Sequence, residues 1–246
     1  MSRQLFDTVR NNMRREEAIP ERPPATAVSR SAPDVNRTTS RARNPGRRRD
    51  DWSAAALKSG RWIGRRLSVA RYMKLPDDGN RYELIHGELV MSPSASYAHG
   101  EVLLYVGAKL GAFVRKRGLG RVGIETDVIL ADGLVLRPDI NFVAKRRNSI
   151  IREHVHGAPD LVIEITSPGN WQNDLHFKRR EYERFGVREY WLLDVADGRN
   201  RAFFWKRSRG RFVGGLSDTT TLRSHVLKGF NLDLALVWKV ASEGGP

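Results

Sequence analysis

The chain has 246 residues with 43 Lys or Arg against 28 Asp or Glu, a formal net charge of +15, and no cysteine, which excludes disulfides and thiolate metal clusters. No apolar stretch approaches the roughly 20 residues that span a bilayer, and the N-terminus lacks a charged-then-apolar secretory pattern. A soluble, cytoplasmic protein with no membrane partner is expected.

The charge is uneven, because residues 1–66 hold 16 Lys or Arg against 7 Asp or Glu. This segment is rich in Arg, Pro, Ser and Asn, and is densest from Arg41 to Arg49. Its apolar residues are too sparse to build a core, so residues 1–66 read as a disordered Arg-rich tail, with short helical turns near 4–17 and 52–58. Such a tail favours polyanions, nucleic acid first, by neutralising phosphates. The plainer readings are a solubilising tail or an overextended gene start.

From Leu67 to about Val240, turn signals and apolar runs alternate as in one domain, leaving 241–246 as a C-terminal tail. No internal repeat is present. Leu67–Leu75 reads as a short helix stopped by Pro76-Asp77-Asp78-Gly79-Asn80, and Tyr82–Met91 as a strand or hairpin broken at Gly87. Tyr97–Lys116 carries Val102, Tyr105, Val106, Leu110, Phe113 and Val114 at helical spacing. Two strands follow, Arg121–Leu130 and Leu134–Val143, joined by the hairpin signal Ala131-Asp132-Gly133. Lys145–Glu153 reads as a helical turn. Asp160–Thr166 is too continuously apolar for a half-exposed strand, so it should be central. A helix from about Asp174 to Phe185 ends at Gly186, and strands at Glu189–Asp194, Arg201–Lys206 and Phe212–Val213 complete a mixed α/β domain.

Asp139 and Glu164 stand out because each interrupts an apolar β-like run. A buried ionised carboxylate costs several kcal/mol unless it is paired, hydrogen-bonded or bound to metal. With Glu88 upstream and Lys178 downstream, the two point to a divalent-cation site. The rival readings are a turn or cap role for Asp139, a buried ion pair with arginine for Glu164, surface exposure for Glu88, and a solvated basic face for Lys178. Asp174, four residues before Lys178, is accounted for by an i,i+4 pair or a helix cap.

The order of motifs resembles a known family. Tyr82-Glu83-Leu84-Ile85-His86-Gly87-Glu88-Leu89 is followed by Arg137-Pro138-Asp139, Gly157-Ala158-Pro159-Asp160-Leu161-Val162-Ile163-Glu164-Ile165, Lys178-Arg179-Arg180-Glu181-Tyr182 and Gly186-Val187-Arg188-Glu189-Tyr190-Trp191-Leu192-Leu193-Asp194. This is similar to the Uma2 (DUF820) family of restriction-endonuclease-like proteins, in the PD-(D/E)XK nuclease superfamily, over about Leu67–Val240. The resemblance implies a mixed β-sheet flanked by helices and an Mg²⁺-dependent phosphodiesterase site, with Mn²⁺ as an alternative ion. It makes Asp139 the aspartate of the Pro-Asp motif and Glu164 the second acid, both metal ligands together with the Ile165 carbonyl. Glu88, or alternatively Glu83, would be the upstream acid. The superfamily's usual lysine, two residues after the second acid, is replaced by Thr166; the resemblance moves that role to Lys178 on the next helix.

Hard oxygen ligands suit Mg²⁺, which usually takes one or two carboxylates and keeps several waters. Lys178 would orient or deprotonate the attacking water, or stabilise the pentavalent transition state. Other residues fit structural roles better. His99 opens a helix and could touch substrate, but capping or surface exposure explains it. His154 and His156 lack zinc-type spacing. Glu125 and Asp127 share a strand face, which reads as a solvated edge rather than a second metal site. Gly118-Leu119-Gly120 precedes a strand and is a poor phosphate loop. Tyr182, Tyr190 and Trp191 fit core packing. Three functions stay open: an endonuclease acting on DNA, a catalytically inactive nucleic-acid-binding module of the same fold, and a structural protein whose acids form ion pairs. The superfamily analogy also allows a homodimer.

Overall fold

The computed structural model describes residues 63–92, 94–166 and 173–243; residues 1–62 of the expected tail, with its two expected helical turns, lie outside them. In chain order these residues form helix α1 (Val69–Tyr72), strands β1 (Tyr82–Ile85) and β2 (Glu88–Met91), and helix α2 (Tyr97–Arg117). Strands β3 (Gly120–Ile124), β4 (Val128–Ala131), β5 (Leu134–Leu136) and β6 (Ile140–Ala144) lead to a 3₁₀ segment at Lys145–Ile150. Then come β7 (Val155–His156), β8 (Leu161–Thr166), a π-helical turn at Asn173–Lys178, α3 (Arg179–Phe185) and β9 (Glu189–Asp194). Strands β10 (Arg201–Ser208), β11 (Arg211–Leu216), β12 (Thr221–Arg223) and β13 (Asn231–Asp233) precede helix α4 (Leu234–Glu243). Among the described residues no helix is long and apolar enough to cross a membrane.

The sheet that positions the site runs β11-β10-β9-β8-β6-β3, with β8 and β9 parallel. All six residues of β8 are buried, as its unbroken apolar run predicts for a central strand. Its side chains alternate. Leu161, Ile163 and Ile165 face a core shared with α2 and α4, while Val162 faces a second core shared with α3 and a five-stranded sheet, β2-β1-β5-β4-β7. Glu164 lies two residues from Val162 and therefore shares that second face.

Helix α2 is set by Ser96, whose hydroxyl accepts the His99 N–H, and closed by Gly118 in the left-handed region. Val102, Val106, Leu110 and Val114 form its buried stripe, and Tyr105 and Phe113 flank it. Burying each aliphatic residue of that stripe contributes about 1.5–3 kcal/mol.

The structure divides each of the two expected strands 121–130 and 134–143. The first breaks at Glu125, which adopts the left-handed φ of 49°, and the second at Pro138, which has no N–H to give a ladder. The halves go to different sheets: β3 and β6 pair in the six-stranded sheet, β4 and β5 in the five-stranded one. The Ala131-Asp132-Gly133 turn does close a hairpin. Gly133 takes φ 78°, and a Cβ there would come within 3.1 Å of the Gly87 nitrogen, which donates to the Gly133 carbonyl. The expected helix 174–185 begins with the π-helical turn and ends at left-handed Gly186.

The fold also extends past the expected limits. Gly64 and Leu67 donate to the carbonyls of Leu89 and Gly87, so the chain before Leu67 already joins the sheet, and α4 runs beyond Val240. Strands β7, β12 and β13 and helix α4 are additions to the elements expected from sequence. The strands are two or three residues long, too short for a period of two to register.

Candidate active site

Both strand breaks open onto one cleft. Glu125 and Asp139 reach it from the two breaks, Glu164 and Ile165 from the end of β8, His99 from the first turn of α2, and Asp174 and Lys178 from the π-helical turn; Arg81 and Arg137 also line it. The chain changes sheets here, so side chains from both sheets converge without any long loop.

Asp139 and Glu164 meet directly. The Ile165 N–H donates to Asp139 Oδ2 at 2.6 Å, and the Asp139 N–H donates to Glu164 Oε2 at 3.4 Å. Glu164 Oε1 accepts from Lys178 Nζ at 3.2 Å and from the Tyr182 hydroxyl at 2.8 Å. Lys178 Nζ is also 3.2 Å from Glu83 Oε1 and 3.3 Å from Asp174 Oδ1. One buried ammonium thus faces three carboxylates, one for each of its N–H donors.

Asp174, Lys178 and Tyr182 recur at intervals of four and address the same point. A π turn adds a residue to the helical repeat and is frequent at functional sites, and here it brings Asp174 and Lys178 into register against Glu164. Thr166 has gone the other way: its hydroxyl donates to Asp194 Oδ1 at 2.8 Å inside the core, away from the cleft.

The electrostatics follow from crowding. Burial raises the Glu164 pKa well above its usual range; Lys178 opposes this, and Asp174, Asp139 and Glu83 add to it. Asp174 is pushed up to about 6, by burial first, with Lys178 opposing and Asp139 and Glu83 reinforcing. Burial alone would lower the pKa of Lys178, but Glu164, Glu83 and Asp174 outweigh it and hold the amine protonated. A proton-abstracting role for Lys178 is therefore disfavoured against an electrostatic one.

Of the two candidate upstream acids, the structure brings Glu83 to Lys178 and leaves Glu88 away from the cluster. Glu83 is 3% exposed and accepts the Arg137 N–H at 2.9 Å besides meeting Lys178, whereas Glu88 is exposed. Glu83 stands on β1, flanked by β2 and β5, but Glu88 lies one strand further out beside the hairpin turn, opposite Ile85. Both acids share a strand face, and only the inner one is covered.

Sequence reasoning misjudged His99 and the Glu125–Asp127 pair. His99 is buried, with Nε2 3.3 Å from Asp139 Oδ1. Burial would lower its pKa, yet the hydrogen bond and charge of Asp139 and a contact with the Ile165 backbone raise it overall. It precedes Val102 by three residues and so extends the buried stripe of α2 by one step, a signal the sequence did contain. Asp127 is buried and accepts from Arg137 Nε at 2.7 Å, while Glu125 pairs with Arg81 in the cleft. Neither is a solvated edge. Tyr182, Tyr190 and Trp191 are buried as expected, Tyr182 with the added contact to Glu164.

The donor set fits a hard divalent cation. Glu83, Glu164 and Asp174 share a single lysine and Asp139 adjoins Glu164, an arrangement of acids that a cation would relieve. Glu164 Oε1 is occupied by two donors, leaving Oε2 beside Asp139 for a further ligand.

The Uma2 family, described as "Putative restriction endonuclease", matches residues 69–235. Among solved structures, the crystal structure of a "putative nuclease belonging to DUF820" from Anabaena variabilis aligns with a TM-score of 0.61 at 17% identity, over 71% of this chain and 99% of that one. No curated protein matches the sequence.

Proposed function

Starting from a chain that belongs to the Uma2 family, we propose that it is an Mg²⁺-dependent endonuclease hydrolysing phosphodiester bonds in DNA. The observation that carries this reading is the meeting of Asp139, Glu164 and Lys178, far apart in sequence, at one cleft. Asp139, Glu164 and the Ile165 carbonyl would hold the cation, which when bound supplies Lewis acidity and acidifies its water.

The chain's own groups do the rest. Lys178 and Tyr182 fix the Glu164 carboxylate through Oε1, and the Ile165 N–H fixes Asp139 through Oδ2, so both acids are oriented before any ion arrives. The Lys178 ammonium contributes fixed positive charge where negative charge gathers on the phosphoryl oxygens. Arg81 and Arg137 line the same cleft and offer donors to flanking phosphates. Water oxygen bonds to phosphorus and gives up a proton to solvent, the bond to the departing 3′ oxygen breaks, and that oxygen takes up a proton from solvent, so one water is consumed in all.

Supercoiled plasmid and labelled DNA and RNA oligonucleotides, incubated with Mg²⁺, Mn²⁺ or EDTA, test the reading. Cleavage by the native chain, abolished by EDTA and reduced about 100-fold or more by Asp139→Asn or Glu164→Gln, is expected. Cleavage that survives EDTA or these substitutions would refute it. DNA binding without turnover in either metal would instead favour the inactive binding module.

A further inference from the structure

His99 and Glu125 approach Asp139 from the first turn of α2 and from the break after β3, whereas Glu164 approaches it from β8. The ligand atoms of His99, Glu125 and Asp139 fall within 4.8 Å of one another. A cation bonded at 2.0–2.3 Å needs donors about 3 to 4.5 Å apart, so the three are spaced to share one ion. Asp139 divides its oxygens between the two approaches: Oδ2 takes the Ile165 N–H, and Oδ1 faces the imidazole at 3.3 Å. His99 is held by the buried stripe of α2 and the capped first turn, so its ring has a fixed place. Glu125 reaches inward because the strand breaks at its left-handed backbone. Arg81 engages one of its oxygens, and a carboxylate has about four acceptor positions in all.

We propose that His99, Glu125 and Asp139 form a second divalent-cation position beside the first, sharing Asp139 and preferring Mn²⁺ to Mg²⁺. The proposal rests on the nuclease reading only in taking Asp139 as a ligand of the first ion. The preference follows from the donors. The first position is all oxygen, which suits Mg²⁺; the second adds an imidazole nitrogen, which Mg²⁺ binds poorly and the first-row transition ions accept. Adjacent ions sharing a carboxylate are the usual arrangement for stabilising both the entering and the leaving oxygen in phosphoryl chemistry.

The test is Mn²⁺ binding to metal-free full-length protein, followed by electron paramagnetic resonance with detection of nitrogen coupling. Two bound ions are expected, one of them coupled to nitrogen, and excess Mg²⁺ should displace the uncoupled ion first. His99→Gln should abolish the nitrogen coupling and one ion, while Glu164→Gln should keep the coupling and weaken the other ion. Thermal melts check that the variants fold, and Glu125→Gln, which retains the imidazole, should weaken the coupled ion about 10-fold. Bound Mn²⁺ with no nitrogen coupling, or coupling that persists in His99→Gln, would overturn the second position. In that case DNA cleavage by the native chain would still stand for the nuclease reading; coupled Mn²⁺ on a chain that cuts nothing would sink the nuclease reading and leave the second position intact.

Discussion

Asp160, immediately before β8, and Glu164, within it, are buried acids only four residues apart, and they live in opposite surroundings. Asp160 is wholly buried among cations: Arg146 at 3.8 Å, Arg147 at 3.3 Å and Arg188 at 3.2 Å, with the Ala144 N–H donating at 2.9 Å. Glu164 sits among other acids with one lysine to share. A buried carboxylate surrounded by matched donors holds a fold together. One whose neighbours repeat its own charge is poised for a cation. The same residue class, a few residues apart, thus meets two environments, and the difference lies in the partners.

That contrast can be broken experimentally, most forcefully at the compensated end. Asp160→Ala would leave a buried void and the Ala144 N–H without its acceptor, while the three partly exposed arginines regain water, and should cost about 1–3 kcal/mol, a fall in Tm of some 5 °C for a domain of this size. A melt within 2 °C of the native chain would show that the carboxylate holds nothing together and the distinction is empty.

The next effect is a pH dependence opposite to ordinary acid denaturation. Glu164 and Asp174 have folded pKa values raised above their unfolded ones, so the native state binds more protons between about pH 4 and 6. Without divalent ions, the contribution of these two groups to stability should therefore increase as pH falls from 7 to 5. Asp194 works the other way: despite burial, hydrogen bonds from Arg199, Arg201 and Thr166 lower its pKa, so its contribution is lost only as pH falls below the normal aspartate range. Melts in EDTA at pH 7, 6 and 5 should show a Tm that rises or holds in the native chain, and a flatter or falling trend in Glu164→Gln/Asp174→Asn. Identical slopes would deny these two acids the role.

Smaller still, Tyr182→Phe removes one hydrogen bond to Glu164 and should cost about 1 kcal/mol of stability, while loosening Mg²⁺ binding about 10-fold. Calorimetric titration would reveal it, and unchanged affinity would mean that Lys178 alone orients the carboxylate. Finally, Glu164→Gln should leave the metal-free Tm within a few degrees of native or raise it slightly, because it imitates the protonated side chain, yet should remove the stabilisation by Mg²⁺. A large loss of stability would place Glu164 with Asp160 as a structural acid.

The sequence carried much of this arrangement, because burial of β8 and of the α2 stripe is written in local apolar patterns. It also singled out Asp139 and Glu164, since acids amid apolar runs need an explanation, and the family resemblance added the roles of Lys178 and Glu88. What it could not carry was pairing across strands. Glu83 and Glu88 look equivalent along one hairpin, and only the addition of β5 beside β1 covers the first and leaves the second in water. His99 was undervalued because a histidine following a capping serine resembles a helix-start residue until the stripe behind it is seen to be buried. The two strand breaks were hidden for a related reason: the apolar pattern resumes after Glu125 and after Pro138, while the change of sheet shows only in three dimensions.

The Thr166 hydroxyl, tied to Asp194 within a knot that also holds Arg199 and Arg201, closes position 166 to a longer, charged side chain. A Thr166→Lys substitution would thrust an ammonium group into a closed space already furnished with two guanidinium groups, and its tip would have no route to the cleft. Position 166 thus serves the core, and the cleft's ammonium comes from the helix.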